Sequence, residues 1–218
     1  MINKTILRRV QTIFERFQYI NPLPKIELHY TNHFTLLIAI VLSSRTTDRS
    51  VNKITKDLFN IVDSPKNMIN LGQDMLKKYI NSIGLYNSKA QNIMGLSIEL
   101  VEQYNSIIPN DFDQLISLPG VGRKSANVFL NSAFNMLTIA VDTHVLRVSH
   151  RLGLVRETRN KLYIEQYLLK VIPVQYLLNA HNWLVLHGRY ICKARHPLCT
   201  QCIIRDVCIF QYKKDHPI

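Results

Sequence analysis

The sequence predicts an all-α protein. Three observations carry that expectation. Apolar residues recur at helical spacing along nearly the whole chain, strand-like alternation is almost absent, and Pro, Gly, Asn and Asp mark the ends of the helical patterns.

Taken in order, the first helix runs from about Lys4 to Tyr19 and stops at Asn21-Pro22-Leu23-Pro24, where proline cannot continue it. Thr31 or Asn32 caps the second. Its body, Phe34 to Leu42, is apolar all round, which marks a helix buried on every side. Ser43-Ser44-Arg45-Thr46-Thr47-Asp48 interrupts it, and Thr47 or Asp48 opens a helix with Val51, Ile54, Leu58 and Phe59 on one side. Ser64-Pro65 begins a short helix, with proline where no N–H is needed. Asp74 to Ile83 forms another, which Gly84 ends at its C′ position. Leu85-Tyr86-Asn87-Ser88 reads as a loop before a longer helix to about Tyr104. Pro109-Asn110-Asp111 opens a helix that Leu118-Pro119 closes, and Gly120-Val121-Gly122 then makes a tight hairpin with positive backbone torsions at its glycines. Helices over Gly122 to Phe134, Asp142 to Leu152, Asn160 to Val171 and Pro173 to Tyr190 complete the chain, with no internal repeat and no low-complexity linker.

At 218 residues the chain can bury a sizeable core as one large domain or two small lobes. It carries 27 Lys+Arg against 15 Asp+Glu, a formal net charge of +12. Because the helical patterns are amphipathic, this is a folded basic protein, and its simplest partner is a polyanion such as nucleic acid. The first helix carries Arg8, Arg9, Glu15 and Arg16, so it is not a signal sequence. The longest apolar run, Phe34 to Leu42, is far short of the roughly 20 residues that span a membrane. A soluble, cytoplasmic protein without a membrane partner is expected.

Two stretches carry chemistry. In Leu118-Pro119-Gly120-Val121-Gly122-Arg123-Lys124-Ser125, the glycine hairpin and the helix N-terminus behind it would present N–H groups to a phosphate. Arg123 and Lys124 stand where helix dipoles favour acids. The dipole, the neighbouring cation and partial burial would all disfavour the ammonium form of Lys124, leaving an amine able to form a Schiff base. Contact of both cations with phosphate is the other reading. The second stretch, Val141-Asp142-Thr143-His144, sets Asp142 at a helix N-cap position. All four cysteines lie near the C-terminal end, Cys192, Cys199, Cys202 and Cys208, spaced C-x6-C-x2-C-x5-C. Four thiols in one loop-rich segment of a chain this size read as one Cys₄ metal site rather than disulfides. The spacing alone leaves zinc and an iron–sulfur cluster open.

Leu-Pro-Gly-Val-Gly-Arg-Lys followed eighteen residues after Lys124 by Asp142 of Val-Asp-Thr-His resembles the helix-hairpin-helix DNA glycosylases, and the endonuclease III family most closely. The likeness runs over almost the whole chain. It implies a six-helix lobe over about 26–136, with the helix-hairpin-helix at about 111–134. A second lobe would combine 1–25 with 137–218, and an active-site cleft would lie between the two. The same resemblance implies that Lys124 is the catalytic nucleophile, Asp142 the catalytic carboxylate, and the four cysteines the ligands of a structural [4Fe–4S] cluster. The implied partner is double-stranded DNA with damaged bases or abasic sites, bound by a monomer. The implied reaction is excision of an oxidised pyrimidine, then strand cleavage at the abasic site by β-elimination. Gly120, Gly122 and Arg123 would hold the DNA backbone, with Lys193 and Arg195 in the first cysteine loop. Leu85 matches a segment that inserts an apolar wedge into the base stack.

Arg45 departs from the pattern, since the family commonly has Gln in this loop, filling the space left by the flipped base. Arginine is longer, always charged and a pure donor, so the opposite-base preference is open. His144 and Trp183 read as structural residues and Asp48 as a helix cap. Two alternatives stand beside the main reading. A monofunctional adenine glycosylase relative is disfavoured by Lys124 and by the absence of a further domain after Cys208. A non-catalytic, metal-stabilised DNA-binding protein is disfavoured by the presence of both Lys124 and Asp142.

Overall fold

The computed structural model describes residues 4–210. Of the expected second lobe, residues 1–3 and 211–218 lie outside the described residues. The described chain is helical throughout: α1 (Lys4–Ile20), α2 (His33–Leu42), α3 (Asp48–Leu58), α4 (Pro65–Leu71), α5 (Gln73–Ile80), α6 (Tyr86–Tyr104), α7 (Phe112–Ser117), α8 (Arg123–Phe134), α9 (Thr143–Arg151), α10 (Lys161–Val171) and α11 (Val174–Tyr190), with a 3₁₀ turn at Cys199–Gln201. It divides into two compact units, Glu27–Asn135 and the combination of Met1–Ile26 with Met136–Ile218.

In the unit Glu27–Asn135, α2 is the central element. Every residue from Phe34 to Leu42 is buried, against α3, α6 and α8. Burial on every side explains the all-round apolar sequence, at roughly 1.5–3 kcal/mol per large side chain. Asn32 caps it reciprocally with Thr35, the Asn32 side chain taking the Thr35 N–H at 2.9 Å. Gly72, at φ +78, breaks what would be one continuous segment into α4 and α5, so the unit has six helices if that segment is counted once and seven if not.

The junction between α5 and α6 differs from the sequence expectation. α5 ends at Ile80 rather than Ile83, and Gly84 is not its cap: Ile83 N–H turns back to the Ile80 carbonyl at 3.2 Å and buries its side chain. α6 in turn begins at Tyr86, ahead of Ser88, because Leu85 takes the left-handed conformation that lets the chain turn directly into it. Thr47, not Asp48, caps α3 by accepting the Ser50 N–H at 3.2 Å, and Asp48 stands in the first turn, where its charge suits the dipole.

The other unit packs α1 and α9 against α11. Phe14 and Phe17 of α1 meet Tyr176 and Trp183 of α11, with the Phe14 and Tyr176 rings stacked at 6.0 Å. Trp183 donates its Nε1–H to the Asn21 carbonyl at 2.8 Å, which satisfies its polar edge and fixes the exit of α1. Trp183 is therefore core, as its sequence setting suggested. Arg16 of α1 forks onto the Asp206 carboxylate, tying α1 to the cysteine-bearing segment.

Candidate active site and metal-binding loop

The hairpin between α7 and α8 treats its two glycines differently. Gly120 has φ +79, and a Cβ there would lie 2.8 Å from Asn92 Cβ, so the fold itself requires glycine. Gly122 has φ −91, which any residue adopts, and nothing lies within 4 Å of where its Cβ would be. The expected pair of positive torsions is thus a single one. Gly122 is the N-cap of α8 and offers no side chain to cap it. Gly122, Arg123 and Lys124 are all exposed, leaving an open, positively polarised helix end of the kind that holds an anion. Arg123 lies over the Phe112 ring of α7, 4.8 Å from its centroid. The partial burial expected for Lys124 is not found; burial in α8 begins only at Ala126.

Asp142 occupies the N-cap of α9 and takes the His144 and Val145 N–H groups at 2.9 and 2.8 Å, both on Oδ1. The carboxylate is fixed by these bonds and half-buried, with Oδ2 outside the cap. His144 meets Arg147 at 3.3 Å through Nδ1, and burial pushes its pKa down. A histidine kept neutral suits the first turn of a helix, and its structural role stands.

The four cysteines are free thiols, with Cys192 buried and the others half-buried. They sit close enough to influence one another: burial first, and then the charges of Cys208, Cys192 and Cys199, push the Cys202 thiol up to about 11. Bringing thiolates together without a cation is costly, and a bound metal centre removes that cost. N–H groups also point at sulfur, from Arg151 Nη1 to Cys192 Sγ and from Phe210 N to Cys208 Sγ, each at 3.5 Å. Among the described residues no three His, Cys, Asp or Glu side chains gather as around a single ion. Each cysteine of an iron–sulfur cluster binds its own iron, so its ligands need not converge on one point. The donor set and its N–H···S contacts fit such a cluster.

Two residues that the sequence reading passed over brace this loop. Arg147 reaches the Gly188 carbonyl at 2.7 Å and the Cys192 carbonyl at 3.1 Å. Arg151 reaches the Lys193 carbonyl at 2.7 Å and the Ala194 carbonyl at 3.1 Å. Their signal was present as two arginines one helical turn apart on an otherwise amphipathic α9. Lys193 and Arg195 are exposed beyond them. Arg45 and Leu85 stand exposed at two further turns, both in the unit Glu27–Asn135 with Lys124, whereas Asp142 and the cysteines belong to the other unit.

The model of the HhH-GPD superfamily of base excision DNA repair proteins matches residues 38–174, which include the uncapped basic start of α8 and the Asp142 cap of α9. The iron–sulfur binding domain of endonuclease III matches residues 192–208, bounded by the first and last cysteines. The chain is 55% identical to endonuclease III of Rickettsia felis over 199 residues, covering 91% of this chain and 93% of that protein. It is 48% identical to endonuclease III of Escherichia coli over 203 residues, covering 93% and 96%. A solved structure of a trapped covalent endonuclease III–DNA intermediate aligns with a TM-score of 0.90 at 40% identity, over 99% of this chain and all of that one. The chain belongs to the endonuclease III family of the HhH-GPD superfamily. A thermostable thymine-DNA glycosylase, at TM-score 0.83 and 23% identity, shares the fold. No helix among the described residues is long and apolar enough to cross a membrane.

Proposed function

We propose that the chain excises oxidised pyrimidines from duplex DNA and cleaves the resulting abasic site, with Lys124 as nucleophile and Asp142 as the ionised carboxylate. The observation that carries this is Lys124 exposed on the uncapped, hairpin-fed first turn of α8, with no structural task there. The Lys124 amine attacks the sugar C1′, the C1′–N bond breaks and the base leaves with its electron pair. The attached amine loses its proton and the C1′–O4′ bond opens, with O4′ taking a proton, to give an imine; removal of its acidic C2′ proton then breaks the C3′–O bond by β-elimination. Asp142 stabilises positive charge developing on the sugar and assists proton transfers. A relative caught as a covalent complex with DNA accords with a nucleophilic side chain.

Residues 26–136 would form the lobe that grips the backbone through Gly120, Gly122 and Arg123. Residues 1–25 and 137–218 would form the lobe with Asp142 and the cofactor, a [4Fe–4S] cluster held by Cys192, Cys199, Cys202 and Cys208. Held there, the cluster would act structurally, fixing the loop from which Lys193 and Arg195 would meet phosphate. The protein works as a monomer in the cytoplasm, at the nucleoid in a bacterium. Borohydride reduces an enzyme–sugar imine to a stable bond, so it should trap the wild type on abasic duplex. Lys124→Gln should bind that duplex without being trapped; trapping at the wild-type level would assign the amine elsewhere.

A further inference from the structure

Among the non-glycine residues of the unit Glu27–Asn135 with left-handed backbone, Arg45 at φ 53 and Leu85 at φ 61 stand at exposed turns and carry neither the Asn nor the Ser side chain found at the others. L side chains resist this conformation, and it persists only where the surroundings impose it. Arg45 follows α2 and Leu85 precedes α6, so the two turns are far apart in sequence. A single residue bonds to both. Lys89 of α6 gives its backbone N–H to the Leu85 carbonyl at 3.0 Å. Its Nζ donates to the Leu42 carbonyl at 2.9 Å and to Thr46 Oγ1 at 2.8 Å, the residues that bracket the Arg45 turn.

Lys89 is an unusual residue for its place. It is only 5% exposed and lies on the same stripe of α6 as Ile93, Leu96 and Leu100, all fully buried. Burying a lysine there is unfavourable unless its donors are satisfied, and an apolar side chain would pack the stripe without that penalty. Leu42 is the last residue of α2, so the ammonium also sits at the negative end of that helix. What the cation adds beyond packing is a bonded link from the first turn of α6, whose helical hydrogen bond holds the Leu85 carbonyl, to the Arg45 turn.

We infer that Lys89 is a positioning residue that holds Arg45 and Leu85 in register, so that a donor-rich side chain and an apolar wedge enter the duplex together. The inference rests on the DNA-repair reading above. Leu85, 55% exposed, would separate a base step, while Arg45 would meet the polar edges exposed when a nucleotide leaves the stack. A shift of about 1 Å in either turn is enough to cost up to roughly 10²-fold in rate.

The test compares wild type, Lys89→Met, which keeps the stem and removes the donors, and Lys89→Arg, which restores them. A fluorescent adenine analogue opposite an oxidised pyrimidine reports unstacking. Lys89→Met should lose that signal and roughly 10–100-fold of the excision rate, with unmodified-duplex affinity and borohydride trapping on a preformed abasic site held within about threefold. Lys89→Arg should recover much of both. Unchanged excision and unstacking in folded Lys89→Met would overturn the inference. So would an equal fall in excision, trapping and thermal stability, which marks a merely structural lysine. If Lys89→Met does not fold, Thr46→Val carries the test: it should weaken unstacking in the same direction, and an unaltered signal would count against the link. Wild type that neither excises nor is trapped would instead remove the underlying functional reading.

Discussion

Helices α8 and α9 begin in opposite ways. α9 starts as helix energetics favour, with Asp142 at the cap, two backbone N–H groups satisfied and a neutral histidine in the first turn. α8 starts against those preferences, with glycine at the cap, no side-chain acceptor and Arg123 and Lys124 where the dipole disfavours cations. The α9 start is explained by the protein alone. The α8 start suits an anion outside the protein, in keeping with the proposal that this end of α8 faces DNA.

This contrast is open to mutation at each end, and the largest effect should fall on α8. Lys124→Gln removes a first-turn cation, so stability should be unchanged or slightly raised, while covalent trapping is lost altogether. A variant that lost stability as well would give Lys124 a structural role and erase the contrast. Asp142→Asn comes next. Asparagine caps a helix as well as aspartate does, so thermal stability should hold within about 1 kcal/mol. Excision should still fall by roughly 10²–10³-fold, because the charge is gone. Equal activity would reduce Asp142 to a cap.

Gly122→Ala should act more mildly and only on binding. Its backbone angles suit alanine and its Cβ would meet no protein atom. Measured by fluorescence anisotropy, affinity for undamaged duplex should fall roughly tenfold, the size of one charge-assisted hydrogen bond. Gly120→Ala should instead unsettle the fold, since a Cβ there strikes Asn92. If both variants behaved alike, the two glycines would share one role and the hairpin would not face DNA.

The all-helical class was legible because burial imposes a periodic pattern: α2, buried on all sides, and α1, buried on one, both read correctly from apolar spacing. Caps supplied by side chains, Asn32 and Asp142 among them, were legible for the same local reason. The α5–α6 junction was not, because Leu85 adopts a glycine-like torsion that nothing in its side chain announces. Lys89 was missed although its position in step with Ile93, Leu96 and Leu100 signalled burial. Its surroundings of Asn87 and Ser88 suggested a solvated helix start, and its partners near α2 are remote in sequence. The four cysteines were legible through their spacing and the motif they close, whereas the exposure of Lys124 depends on tertiary packing that its local sequence does not specify.

The smallest expected effect tests the α9 side of the contrast through its histidine. Burial, followed by Arg147 and Arg189, lowers the His144 pKa below 6.5, and Asp142 opposes this only in part. Above about pH 7 neither the folded nor the unfolded state binds this proton, so His144 leaves stability independent of pH. As pH falls through 6.5 the unfolded chain takes the proton first, and stability is lost until the folded pKa is reached. His144→Gln removes that term. Its Tm should therefore fall less than that of wild type between pH 7 and 5. A steeper fall in the variant would mean that folded α9 binds the proton more tightly than the unfolded chain does. The Asp142 carboxylate would then outweigh burial, and the first turn of α9 would tolerate a cation as that of α8 does.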